Sequence, residues 1–156
     1  DGVAIFGRAA VKGEYSKSKP FPMLDWNDED IERYFTLFNP IEVKDDCTEE
    51  DMSKAINNRF EEYGISFKEN SYSLVGLWTH SGNQIAMSHA ATLFEVKNGF
   101  MLFEKVNPVE PYVAVKFSNA NEIKTYLYER VKLEDAEYGD EITDKYVITR
   151  NNKIMD

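Results

Sequence analysis

Lys97-Asn98-Gly99 lies between two runs of apolar and small residues, and this constrains the chain more than any other stretch. Asn-Gly supplies the left-handed backbone that a tight two-residue turn needs, so the flanking runs must fold back on each other as a β-hairpin. The outgoing run is Met87-Ser88-His89-Ala90-Ala91-Thr92-Leu93-Phe94-Glu95-Val96 and the returning run is Phe100-Met101-Leu102-Phe103-Glu104-Lys105-Val106. Two polar side chains stand out in this hairpin. His89 is flanked by small residues, and Glu104 interrupts a strand that is otherwise apolar.

The rest of the chain completes an α+β pattern. Residues 3–11 are apolar and suit a strand or a helix end, and residues 12–22 read as a polar loop open to proteases. A helix is expected from Asn27, with Asp28, Glu29 and Asp30 at the positive end of its dipole and Ile31, Tyr34, Phe35 and Phe38 on one face. Asn39-Pro40 ends it. A second helix starts at Thr48, with Asp51 placed as its capping-box partner. It buries Met52, Ala55, Ile56, Phe60 and Tyr63 and stops at Gly64.

Strands follow at residues 71–79, 84–96, 100–106 and 111–117, with His80-Ser81-Gly82-Asn83 as a turn and residues 107–111 as a loop. A third helix begins near Asn119, with Glu122 three residues on, and buries Ile123, Tyr126, Leu127 and Val131. Residues 134–144 form an acidic connector and residues 145–150 a final edge strand. Helices first and a strand meander after them predict an antiparallel sheet with two N-terminal helices and one C-terminal helix. The 156 residues read as a single domain, long enough to bury roughly 70% of the unfolded surface.

Charge narrows the partners. With 18 basic and 28 acidic residues the formal net charge is -10, which repels nucleic-acid backbones and anionic membranes. No apolar run approaches the roughly 18 residues that span a bilayer, so membrane insertion is not expected.

His89 and Glu104 are the strongest pair for chemistry. An imidazole at the start of one strand, with a carboxylate on the next to fix its tautomer, is the arrangement of a general base. The alternatives are a buried histidine satisfied by backbone and a Glu104 ion pair with Lys105 or Lys116. Cys47 lies among Asp45, Asp46, Glu49, Glu50 and Asp51, whose charges suppress a thiolate, and is expected to be an incidental exposed thiol.

His80 suits a solvated turn. The single cysteine excludes an internal disulfide and a cysteine-based zinc site. The run Glu134, Asp135, Glu137, Asp140, Glu141 and Asp144 lacks the alternation and central glycine of a calcium loop. No metal and no cofactor is called for, and no phosphate loop or nucleophile elbow is present.

Residues 55–117 carry a resemblance. Gly64-Ile65-Ser66-Phe67, Ser71-Tyr72-Ser73-Leu74-Val75, Ser88-His89-Ala90-Ala91, Asn98-Gly99-Phe100, Phe103-Glu104-Lys105 and Glu110-Pro111-Tyr112-Val113-Ala114-Val115-Lys116-Phe117 resemble the domain-of-unknown-function 4300 family of bacterial surface lipoproteins. The family's His motif resembles Gly-His-Thr-Gly, and its last motif Glu-Pro-Tyr-Gln-Ala-x-Lys-Phe. This chain departs at Ser88, Ala91 and Val113.

The resemblance implies a papain- or NlpC-like cysteine-hydrolase outline, with a Cys in an Asn-Cys-Arg motif upstream and a base and orienter on successive strands. It then places Asp1 just after the nucleophile helix, so this chain reads as the base-bearing C-terminal half, with the missing segment removed or on a second chain. It also implies a cell-surface or extracellular location.

The expected function is therefore a cysteine-peptidase-like hydrolase part acting on peptide or amide bonds. His89 is its base and Glu104 its orienter, and Trp78 and Tyr112 line a cleft for a peptide-like substrate unless they simply pack. The alternative is a non-enzymatic surface domain that binds a protein partner. A third possibility, a regulatory fragment docking on another protein, predicts an exposed apolar face.

Overall fold

The structure is a computed structural model, and it describes residues 28–68, 70–106, 111–138 and 145–155. The expectations for residues 3–11, the loop 12–22, the Asn27 cap, Ile31's side chain, the loop 107–110 and most of the acidic connector lie outside the described residues. The chain packs as two compact units divided after Pro40. In the first, helix α1 (Asp28–Phe38) stacks Tyr34 on Phe38, with ring centroids 4.5 Å apart.

The second unit begins with a short strand, β1 (Ile41–Glu42), and then helix α2 (Glu49–Glu62). The capping box is complete. Thr48 Oγ1 accepts from the Asp51 N–H and the Asp51 carboxylate accepts from the Thr48 N–H, so two donors at the helix start are satisfied at once. Met52, Ile56 and Phe60 form its buried face. Tyr63 does not join them: the helix ends at Glu62, and Tyr63 caps it in solvent with Arg59 over its ring. Gly64 takes the left-handed conformation expected of a residue just past a helix end.

Four strands then run as a meander: β2 (Tyr72–Ser81), β3 (Gln84–Val96), β4 (Gly99–Lys105) and β5 (Tyr112–Phe117). Helix α3 (Ala120–Tyr138) crosses back over the sheet, and β6 (Tyr146–Arg150) and β7 (Lys153–Ile154) finish the unit. The strand order is β5-β4-β3-β2-β6-β7, with β1 paired to β3, and every pairing is antiparallel. The α+β class and the antiparallel sheet are those expected.

Three further details differ from expectation. His80 is not in a turn: it pairs with Ile85, because Gly82 at φ 57° lets Gly82-Asn83 close the hairpin alone. β6 is not an edge strand, since the short β7 covers it. The acidic residues after Val131 extend α3 to Tyr138 before any connector starts.

The sheet has two covered faces. On one, Val75, Leu77, Ala91, Leu93, Leu102, Phe117 and Ile148 pack against Ile123, Leu127 and Val131 of α3. On the other, Trp78 packs edge-on against Phe60 of α2 and donates its indole N–H to Thr149 Oγ1 at 3.1 Å. Among the described residues no helix is long and apolar enough to cross a membrane.

Candidate functional site

A β-bulge aims His89. Leu77 pairs with His89, yet the next residue on β2, Trp78, pairs with Met87, so Ser88 is the extra residue on β3. Strand side chains alternate faces, and without the insertion His89 would share Met87's face with Trp78. The extra residue reverses the alternation, putting His89 on the α3 face beside Leu77. Ser88 itself is exposed, and its hydroxyl donates to the Leu77 carbonyl at 3.3 Å.

Glu104 reaches the same face from β4. It pairs with Val113 and lies two residues beyond the core residue Leu102. Its side chain is sealed from solvent, and Oε2 lies 2.6 Å from His89 Nε2. The structure thus brings together the two residues the sequence singled out. It also adds two more from α3. Arg130 donates to Glu104 Oε2 at 2.7 Å, and the Tyr126 hydroxyl donates to Oε1 at 2.5 Å. Tyr126 and Arg130 are one helical turn apart, so one face of α3 presents both.

The carboxylate is well satisfied. Burial alone would raise its pKa, but hydrogen bonds from His89 and Tyr126 and the Arg130 charge outweigh burial and hold it at about 2. Burial, then the Glu104 charge, raise the Tyr126 phenol in turn, so it stays a donor. An ionised carboxylate only accepts, so the proton in the His89–Glu104 bond belongs to Nε2. Arg130 Nη1 lies 3.4 Å from that nitrogen, and both groups donate to the shared oxygen. In the neutral imidazole this leaves a lone pair on Nδ1, which no hydrogen bond engages among the described residues.

The other candidates are placed elsewhere. Trp78 is completely buried on the opposite face of the sheet, where it packs as a core residue. Tyr112 is exposed, stacked on Phe103 at 5.2 Å and capped by Lys105; the strand register puts it on the face away from Glu104.

Cys47 is buried, not exposed. It stands just before the Thr48 cap, and Met52 occupies the fourth helical position, so the two take the positions of a hydrophobic staple. Burial first, and Asp51 and Asp46 after it, raise its thiol pKa against the opposing charge of Lys145. Cys47 also precedes the helix that packs away from His89. Among the described residues no group of histidines, cysteines and carboxylates could hold a metal ion.

Sequence reading missed Tyr126 and Arg130 as site residues. Tyr126 was legible only as part of an apolar helix face. Arg130 lies between the core positions Leu127 and Val131, and its spacing of four from Tyr126 was the available signal.

This fold and site define an antiparallel α+β domain in which His89, Tyr126 and Arg130, each partly buried, surround the buried Glu104. Residues 17–155 match the family model of the domain of unknown function DUF4300, and the chain belongs to that family. No curated protein and no solved structure matches it.

Proposed function

We propose that this chain supplies the general base of a cysteine-peptidase-like hydrolase acting on peptide or amide bonds, with His89 as the base and Glu104 as its orienting residue. The observation that carries this reading is the 2.6 Å bond from His89 Nε2 to a buried, ionised Glu104, with Nδ1 left open. A carboxylate behind the ring fixes its tautomer and steadies the imidazolium formed when Nδ1 takes a proton.

The nucleophile is a thiol from outside these 156 residues, whose one cysteine is Cys47, in keeping with the papain/NlpC-like outline that the family resemblance implies. His89 Nδ1 accepts the thiol proton as sulfur attacks the carbonyl carbon, then returns it to the departing amine. Water hydrolyses the resulting thioester. A bacterial cell-surface or extracellular setting belongs to the same reading.

The test is to assay the full-length gene product on fluorogenic peptide and amide substrates beside His89→Ala. The expected loss is at least about 100-fold in turnover with an unchanged circular dichroism spectrum. Equal turnover in the variant removes His89 as the base.

A second reading, a non-enzymatic binding domain, is supported by the exposed rings of Tyr72, Phe103 and Tyr112. It predicts no hydrolysis by either protein.

A further inference from the structure

Strand β3 buries odd-numbered residues on both sides of its bulge, but on opposite faces of the sheet. Ile85 and Met87 pair with His80 and Trp78 on Trp78's face, whereas Ala91 and Leu93 join the core under α3. Side chains alternate along a strand, so one extra residue between Met87 and Ala91 is needed to bury both sets. The apolar pattern does not say whether that residue is Ser88, His89 or Ala90.

Each choice gives His89 a different place. With Ala90 bulged, His89 would stand opposite Gly76 on the face that Met87 occupies. That space is taken, since a Cβ on Gly76 would already be 2.8 Å from the Met87 terminal methyl. With His89 itself bulged, Ser88 would pair with Leu77 and the imidazole would leave Glu104. With Ser88 bulged, as observed, His89 pairs with Leu77 and reaches Glu104 Oε2 at 2.6 Å.

Ser88 and His89 therefore compete for the position opposite Leu77. Ser88 is exposed, and from the bulged position its hydroxyl donates to the Leu77 carbonyl at 3.3 Å. Moving it inward would bury a hydroxyl on the face of Leu77 and Ala91, which costs free energy. A methyl in place of that hydroxyl reverses the preference, because apolar surface gains by burial.

We infer that Ser88 is a positioning residue for the His89 base: its hydroxyl holds the bulge at residue 88 and so keeps the imidazole beside Glu104. The consequence for turnover rests on the hydrolase reading; the placement of the ring does not.

Threonine and valine share a β-branched shape and differ in the hydroxyl, so Ser88→Thr and Ser88→Val separate the hydroxyl from side-chain bulk. The full chain is labelled with nitrogen-15 and the ring signals of its two histidines are read near neutral pH, with His80→Gln assigning them. Wild type and Ser88→Thr are expected to show the same His89 ring, with a slowly exchanging proton on Nε2 and none on Nδ1. In Ser88→Val that proton is expected to exchange at least about tenfold faster, with circular dichroism unchanged. Ser88→Ala, which adds no bulk, is expected to move the same way and decides the matter if Ser88→Val does not fold.

Wild-type exchange in both Ser88→Val and Ser88→Ala, or equal loss of protection in Ser88→Thr, overturns the inference. The expected ring signals without any hydrolysis count against the base and leave the positioning standing.

Discussion

Arg130 donates to the same oxygen of Glu104 that accepts from His89, and both the guanidinium and the carboxylate are nearly sealed from solvent. This pair ties α3 to β4 and fixes the position of the imidazole. Arg130→Met removes the cation and leaves a buried carboxylate with two donors. The expected cost is about 3–5 kcal/mol, read from urea unfolding near neutral pH. A cost below about 1 kcal/mol would be that of an exposed pair and would contradict the buried geometry.

Glu104 makes stability depend on acid. Its folded pKa, about 2, is lower than the ordinary 4.5. The stability it contributes is therefore complete above the ordinary value and is lost as pH falls through about 2. The difference corresponds to roughly 3 kcal/mol. Unfolding measured at successive pH values is expected to show this loss in wild type. In Glu104→Gln that part of the slope should be absent; identical slopes would mean the carboxylate is not held ionised.

Tyr126→Phe removes one hydroxyl and little volume. Glu104 Oε1 then loses its phenolic donor, at an expected cost of about 1–3 kcal/mol in unfolding free energy. A Tm equal to wild type would show that water replaces the phenol without loss.

Gly99 closes the β3–β4 hairpin at φ 122°, and a Cβ there would stand 2.1 Å from the Phe117 carbonyl oxygen. That oxygen belongs to the backbone of β5 and cannot swing aside. Gly99→Ala is expected to cost about 2 kcal/mol or more and to lower Tm. An unchanged Tm would place the hairpin farther from β5.

Cys47 gives a direct check on α2. A buried thiol with a raised pKa should react with Ellman's reagent only after unfolding. Rapid reaction in the native protein would mean that the segment before α2 opens.

Much of the architecture was legible because it rests on local chemistry. Thr48 with Asp51, and Asn119 with Glu122, announced two helix starts, and the structure shows both sets of capping bonds. β3 has the bounds expected for it, since Gly82-Asn83 and Asn98-Gly99 mark its ends. Pattern failed where the decisive partner was distant in sequence. β1 and β7 are two residues each, too short to show a period, and exist through pairing with β3 and β6. Cys47 looked exposed from its acidic neighbours, but a staple position before a helix turns a small apolar side chain inward.

The hairpin, the helix caps, the α+β class and the choice of His89 and Glu104 follow from local chemistry, since turn geometry, capping bonds and hydrophobic period act within a few residues. That the two share a face is a product of long-range packing. That depends on one extra residue at Ser88, and a bulge is defined by the register of two paired strands, not by either strand alone. The tertiary structure also brought in Tyr126 and Arg130, because the α3 crossover sets a helix face over Glu104, and the burial it creates gives that carboxylate its strong hydrogen bonds.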